Sequence, residues 1–201
     1  MVSVGTGLEA GSESKARQRQ DRRLERKRLL IAEALNDLLK ERPLDDITVV
    51  ELCDEAGISR STFYTYFEDI YEVGVWVWER KNREIFEGLG ERYGYRECFE
   101  RLYAHLREDS GRTGRVIPER NVRKDLTYAA ANSFELLRDR VEKSRGRRLT
   151  DDEYDQLDCV SRANETVTLK WFEDGMVVEP GRIARYVAEM APTFVIQAVG
   201  A

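Results

Sequence analysis

The sequence predicts an all-α protein of about nine helices: a three-helix N-terminal head with a helix-turn-helix, a long fourth helix and a larger helical body. Three observations predict it. The 201 residues are 41% hydrophobic and 35% charged with only four prolines, a composition that leans towards helix. Apolar residues recur at spacings of three and four along most of the chain. Helix-start signals stand at Thr48, with Glu51 three residues on, and at Thr150-Asp-Asp-Glu153. At this length the chain can bury one large core or two small ones.

Residues 1–18 are predicted to form a disordered basic arm, rich in Gly, Ser and Glu up to residue 14. The head then covers residues 19–68. Its first helix runs from about Arg19 to Glu41, with Leu24, Ile31, Leu35 and Leu38 on one stripe and Pro43 just beyond its end. Thr48 suits an N-cap for the second helix, whose narrow apolar face is Val49, Leu52, Cys53 and Ala56. Gly57 ends it in a left-handed conformation that glycine adopts at little cost. Ile58 plugs the turn and Ser59 caps a short third helix. Phe63 and Phe67, four apart, face the second helix, which leaves Arg60, Ser61, Thr62, Tyr64, Thr65 and Tyr66 outside.

Residues 69–201 are predicted to form the body. The fourth helix starts near Asp69 and carries Tyr71, Val75, Trp78, Asn82, Ile85 and Leu89 to about Arg92. Val73-Gly-Val-Trp-Val-Trp78 taken alone reads as a strand, but the longer helical periodicity on both sides overrules it. A helix from Tyr95 to Asp109 carries Phe99, Leu102, Tyr103 and Leu106 and breaks at Ser110-Gly-Arg-Thr-Gly114. Arg115 to Pro118 is a short connector, and Glu119 to Ser144 a long helix around Val122, Leu126, Ala129, Ser133, Leu137 and Val141. Arg145-Gly-Arg-Arg148 reads as a solvated basic corner. The helix opened by Thr150 carries Leu157, Val160, Asn164, Val167 and Trp171 and stops at Gly175. The last helix begins after Glu179-Pro180 with Ile183, Val187, Met190 and Phe194, and Pro192 should kink it.

A short polar helix held by two apolar anchors is built to enter a groove rather than to fill a core. Its exposed hydrogen-bonding residues lie near the helix N-terminus, the end that a recognition helix presents to base edges. The net charge of −5 argues against nucleic acid at face value. The distribution reverses that argument. Lys15, Arg17, Arg19, Arg22, Arg23, Arg26, Lys27 and Arg28 against Asp21 and Glu25 give a local charge of +6, which leaves −11 for the other residues. A basic arm on an acidic body fits a molecule that meets phosphates at one end only.

Ile31, Ala34, Leu35 and Leu38, then Thr48-Val49, Leu52, Ala56-Gly57-Ile58-Ser59 and Thr62-Phe63-Tyr64-Thr65-Tyr66-Phe67 make the chain resemble the TetR/AcrR family of transcriptional regulators. The resemblance spans about residues 25–85; further on, Trp171-Phe-Glu-Asp-Gly-Met176 is similar to the end of the penultimate helix in some members. It implies a ligand-responsive repressor that binds a palindromic operator in double-stranded DNA as a homodimer; Met1 to Gly11 has neither a charged start nor a continuous apolar run, so a cytoplasmic location is expected. The expected DNA-binding residues are Thr48, Ser59, Arg60, Ser61, Thr62, Tyr64, Thr65 and Tyr66, with Arg22 and Arg23 of the arm on phosphates. Dimeric readers place their recognition helices about 34–36 Å apart. The last two helices, each with an apolar seam, are the dimerisation candidates through a four-helix bundle, although the same seams could close the monomer's own core. The middle helices would enclose an effector, with Tyr103, Tyr128, Phe134, Asn164 and Trp171 as expected lining and Phe172, Asn132 and His105 as further candidates. The fourth helix would link head to body, and an effector would act through its differential affinity for two body conformations.

Two positions depart from the family pattern. Val50 and Ile70 stand where positively charged residues usually touch phosphate, and Glu68 and Asp69 add negative charge beside them. The competing reading is a degenerate member whose head binds DNA weakly and whose body serves as a ligand- or protein-binding dimer. An enzyme is disfavoured: one histidine, His105, and the scattered Cys53, Cys98 and Cys159 give no nucleophile–base set and no metal spacing. No cofactor is expected. The apolar runs near Val73–Trp78 and Ala191–Ala201 are too short to span a bilayer, so no membrane partner is expected.

Overall fold

The computed structural model describes the backbone of residues 7–113 and 122–201, and the side chains of residues 21–108 and 127–201. The described residues form helices α1 (Gly7–Leu38), α2 (Val49–Glu55), α3 (Arg60–Tyr66), α4 (Ile70–Glu87), α5 (Tyr95–Thr113), α6 (Val122–Arg145), α7 (Asp151–Glu173), α8 (Pro180–Glu189) and α9 (Thr193–Val199), with a single 3₁₀ turn at Leu44–Asp46 and no strand. The chain divides into two compact units, Met1–Gly74 and Val75–Ala201, with the boundary inside α4.

In the first unit the sequence pattern closes a small core. Ile31, Ala34 and Leu35 of α1 meet Leu52 and Cys53 of α2 and Phe63 of α3, all buried, and Leu44 and Ile47 fill in from the connecting turn. Fully burying a Leu, Ile or Phe side chain contributes roughly 1.5–3 kcal/mol, so these few residues hold the unit. Helix α1 begins at Gly7, well before the Arg19 expected, and so takes in most of the arm read as disordered. Helix formers such as Glu9, Ala10, Ala16, Arg17 and Gln18 favour that extension over the Gly and Ser residues among them. Residues 1–6 lie outside the described residues, as do the side chains of Lys15, Arg17 and Arg19.

The second unit has its own core. Helix α5 lies mainly against α8, α6 against α7, and α9 closes on α6 and α5. Ile85, Phe86, Leu89, Tyr95, Cys98, Phe99, Leu102 and Tyr103 pack with Leu137, Val141, Leu157, Trp171, Ile183 and Val187. Three boundaries differ from the sequence reading. Helix α5 continues to Thr113, through the Ser110–Gly111 pair expected to break it. Helix α4 ends at Glu87, short of the Arg92 expected, and its buried side is set by Val73, Asn82, Ile85 and Phe86, while Tyr71 and Val75 are exposed. Pro192 does not kink one helix but separates two, standing as the N-cap of α9, because proline cannot donate to the preceding turn. The Arg115–Pro118 connector lies outside the described residues.

The basic corner at residues 145–148 does structural work. Arg145 and Arg147 bind the two oxygens of Glu153 at 2.7–2.8 Å, and Glu153 also closes the Thr150 capping box that starts α7. These contacts hold the Glu153 carboxyl well below the usual carboxylate range, with the Arg147 hydrogen bond first and the Thr150 amide next.

Gly88 sits where α4 gives way to α5, and a Cβ there would overlap the Tyr93 ring. That ring cannot easily yield, because its hydroxyl donates to the Ile85 carbonyl and the Arg101 guanidinium lies 4.6 Å from its centroid. Gly88→Ala is therefore expected to destabilise the second unit by about 1–3 kcal/mol, in the range of overpacking substitutions. Urea unfolding checks it; the Gly88→Ala/Tyr93→Ala pair should lose less than the sum of the single changes.

Candidate functional site

The helix-turn-helix forms as its local signals dictate. Thr48 Oγ1 accepts from the Glu51 amide at 3.3 Å, and a Glu51 oxygen takes the Thr48 amide at 2.8 Å and its hydroxyl at 2.7 Å. Helix α2 ends at Glu55, and Gly57 follows with φ 61° in the left-handed region. Ile58 is half-buried rather than a fully buried plug. Ser59 caps α3 by accepting from the Thr62 amide at 3.2 Å, and its hydroxyl lies 2.9 Å from both the Ser61 and Thr62 hydroxyls.

Phe63 is completely buried and Phe67 nearly so, so α3 turns its other sides outward. Arg60, Ser61, Tyr64 and Thr65 are exposed, Tyr64 at 52%. Thr62 and Tyr66, expected outside, are half-buried because they flank the Phe63 and Phe67 anchors. Thr65 Oγ1 donates back to the Ser61 carbonyl at 3.0 Å. The surface offered to a groove is thus short: one guanidinium, two hydroxyls and a phenol. Thr48 is exposed, but its hydroxyl is engaged in the capping box.

The basic residues divide by role. Arg22, Arg23 and Arg26 are exposed on α1, whereas Arg28 is half-buried. Its Nη2 reaches the Tyr66 carbonyl at 3.5 Å, and its guanidinium lies 5.6 Å from the Phe67 ring centroid. Arg28 therefore holds the end of α3, at the negative pole of that helix, and is unavailable for phosphate in this arrangement. At the two departing positions, Val50 is 46% exposed while Ile70 is a packing residue, 7% exposed. The acids beside Ile70 serve the start of α4: Asp69 accepts from the Glu72 amide at 2.8 Å, and Glu72 reaches back to the Glu68 amide at 2.5 Å. The sequence pattern named Glu68 and Asp69 but neither Glu72 nor this work.

Arg42 Nη1 meets Glu51 at 2.9 Å. The Thr48 amide first, then the Thr48 hydroxyl and Arg42, lower the Glu51 carboxyl from 4.5 to about 2. A depressed carboxylate stabilises above its unfolded value and loses that contribution as pH falls through the folded one. Glu51→Gln should therefore lower the unfolding midpoint of the head near neutral pH, and the gap from the unaltered chain should close between about pH 4.5 and 2. Thermal unfolding across that window checks it; a gap that does not depend on pH would assign the effect to packing.

The second unit contains a cavity of about 50 Å³ lined by Trp78, Phe99, Tyr103, Ser133, Phe134, Asn164, Glu165 and Thr168, among others. Of the expected lining residues, Tyr103, Phe134 and Asn164 meet there. Tyr128 does not: it is 52% exposed, its hydroxyl bonded to Glu79, because α6 lines the cavity with Ala129, Ala130, Ser133 and Phe134, one face along. Trp171 does not either; it packs edge-on behind Tyr103 at 5.4 Å and donates to the Val178 carbonyl at 2.7 Å. Phe172, Asn132 and His105 also lie outside the lining. Burial pushes the Tyr103 phenol up to about 12. It stays protonated near neutral pH and donates to Thr168 at 2.9 Å, since Thr168 itself donates to the Asn164 carbonyl at 2.7 Å.

Sequence reasoning missed Ser133, Glu165 and Thr168 as lining. Small polar residues on an apolar stripe signal a cavity only once the facing helices are in place. Ser133 also ties the wall to α4, accepting from the fully buried Asn82 at 3.0 Å, and Asn82 holds Asn132 at 2.9 Å. Among the described residues there is no group of three or more His, Cys, Asp or Glu placed to hold a metal, and no helix long and apolar enough to cross a membrane.

The head has the form of a DNA-reading module, and residues 31–73 match the model of the bacterial regulatory proteins of the tetR family. The match covers 43 of the 201 residues, the end of α1, the helix-turn-helix and the start of α4. A relative is the HTH-type dhaKLM operon transcriptional activator DhaS of Lactococcus lactis subsp. lactis (strain IL1403), 30% identical over 80 residues. The match takes in 40% of this chain and 43% of that relative, so the chain spans less than half of its length. Among solved structures, the dihydroxyacetone kinase operon activator DhaS superposes with a TM-score of 0.58 at 19% identity, covering 86% of this chain and 96% of that one. A TetR transcriptional regulator from Streptococcus agalactiae 2603V does so at 0.54 and 17%, covering 86% and 97%. At these identities the two structures establish the fold alone, an all-α fold with an N-terminal helix-turn-helix.

Proposed function

We propose that the chain is a ligand-responsive transcriptional regulator that binds a palindromic DNA operator as a homodimer. The observation that carries this reading is the α3 surface: a helix anchored by Phe63 and Phe67 that turns Arg60, Ser61, Tyr64 and Thr65 outward from a correctly capped turn. One such helix makes few base contacts, so a two-fold pair on a palindrome supplies the specificity. Of the residues assigned to DNA, Arg60, Ser61, Tyr64 and Thr65 face bases or phosphates, Ser59 and Thr62 shape the helix start, and Tyr66 and Thr48 lie at its edges. Arg22 and Arg23 supply much of the attraction to phosphate.

The dimer forms through the outer faces of α7 and the α8–α9 pair. Of the seams that the sequence offered for this purpose, Leu157, Asn164, Trp171, Ile183 and Val187 are buried in the second unit's own core, while Val160, Val167 and Phe194 are half-buried and Met190 is exposed. The dimer contact therefore uses what remains outside, including the partly exposed Tyr186 of α8 and Met190 just after it. Sedimentation of the full chain gives the oligomeric state.

Repression is the sign of regulation inferred first, by occupancy of an operator that overlaps a promoter. Activation is the second reading, favoured by the relative's own description as an operon activator. A reporter fused to the promoter beside the chain's own gene separates the two signs. Binding itself is tested by electrophoretic mobility shift on that promoter with a salt titration. Each phosphate contact contributes about 0.9 to the log–log salt slope, and with Val50 and Ile70 apolar the slope should be shallow. Absence of a shift at about 50 mM salt would instead favour the degenerate reading, a head that no longer binds DNA.

A further inference from the structure

We propose that Thr65 reads a thymine in each operator half-site, and that it does so with its methyl group rather than its hydroxyl. The inference rests on α3 as the helix that enters the major groove, and it names what one side of that helix recognises.

Residues four apart share a face of a helix, so the exposed surface of α3 divides into two columns, Arg60 with Tyr64 and Ser61 with Thr65. The first column offers a guanidinium and a phenol, groups that suit acceptors on bases or phosphates. The second has turned its polar atoms onto the protein. The Thr65 hydroxyl donates to the Ser61 carbonyl at 3.0 Å, one turn back along the helix. The Ser61 hydroxyl lies 2.9 Å from Ser59 Oγ, within the cap of α3.

A threonine hydroxyl carries one proton. With that proton on the Ser61 carbonyl, Thr65 has no donor left for a phosphate oxygen or for the N7 and O6 acceptors of a purine. Its oxygen keeps acceptor capacity but is held against the helix backbone. The methyl group is the other branch of the same Cβ and points away from the bonded oxygen. Thr65 is exposed, so the methyl is what the side chain presents to a groove. Branching at Cβ and the bond to Ser61 together fix the rotamer, so the methyl is in place before DNA arrives. In the major groove the apolar substituent on the base edges is the C5 methyl of thymine, and a threonine methyl is among the groups that pack on it.

The test uses the full chain and the duplexes that it enriches from a pool of random DNA sequence. Thymines of the enriched site are replaced one at a time by uracil, which removes only the C5 methyl group, and affinity is read by mobility shift. One thymine in each half-site should be sensitive. Uracil there should weaken binding about four-fold in one half-site and about fifteen-fold in both, the effect of burying one methyl group per half-site. Thr65→Ser keeps the hydroxyl and its bond to the Ser61 carbonyl but lacks the methyl, and should bind thymine and uracil equally at that position. Thr65→Val keeps a methyl and lacks the hydroxyl, and should retain the preference for thymine. A preference that survives Thr65→Ser, or one that is lost in Thr65→Val, overturns the assignment and leaves α3 standing as the reader. An enriched site with no thymine sensitive to uracil does the same. Enrichment of no sequence at all would overturn the DNA reading itself, and this inference with it, before any substitution is made.

Discussion

Phe63→Ala is expected to unfold the head and abolish operator binding while the second unit stays helical. Phe63 is completely buried, with its ring 6.0 Å from Phe67 and 5.3 Å from Tyr64, and it joins α3 to the rest of the first unit. Removing a buried Phe ring costs about 3–5 kcal/mol, the lost transfer energy plus the cavity left behind. A domain is stabilised by only about 5–15 kcal/mol in total, and a small one lies near the low end. Helix α3 is seven residues long and cannot persist without tertiary support. Circular dichroism should show partial loss of helix with a second, unshifted unfolding transition, and the mobility shift should disappear. A single unchanged transition would mean that α3 is not held by this anchor.

Arg60→Ala should weaken operator binding by about ten- to a hundred-fold with the fold intact. Arg60 is exposed on the first turn of α3, where side chains reach base edges, and it is the one basic side chain between Pro43 and Asp69. A bidentate contact to guanine contributes about 1–3 kcal/mol of discrimination, which sets that range. If Arg60 reads a base, its loss relaxes the preference at one operator position and leaves the salt slope nearly unchanged. If it holds a phosphate, all sequences weaken alike and the slope falls by about 0.9. Tyr64→Ala is the matched comparison, since the phenol can shift base preference without altering the salt slope. An unchanged binding profile in both variants would show that α3 is not the reader.

The fold was legible where the signal was local. The Thr48–Glu51 and Thr150–Glu153 capping boxes, the Gly57 turn and the Phe63–Phe67 pair each involve groups within four residues of one another, so spacing alone reports them. The reading of Val73–Trp78 as helix rather than strand succeeded for a related reason, because periodicity over a long window outweighs local β-propensity. Where the signal depended on neighbours distant in sequence, it failed. Tyr128 and Trp171 are aromatic and at helical spacing, yet one faces outward and the other backs the cavity wall. Arg28 counted as a basic arm residue until its guanidinium met the Tyr66 carbonyl, 38 positions away.

The sequence by itself determined that the described residues are helical, that the N-terminal region forms a helix-turn-helix, and that its basic charge collects before that motif. Those properties rest on periodicity, capping and charge counts, which are additive along the chain. The tertiary structure alone decided which polar groups remain available. It committed Arg28 to α3, Asp69 and Glu72 to the start of α4, and Arg145 and Arg147 to Glu153. The physical reason is that hydrogen bonding and ion pairing are settled by geometry within about 3 Å, and that distance becomes defined only when separate helices meet.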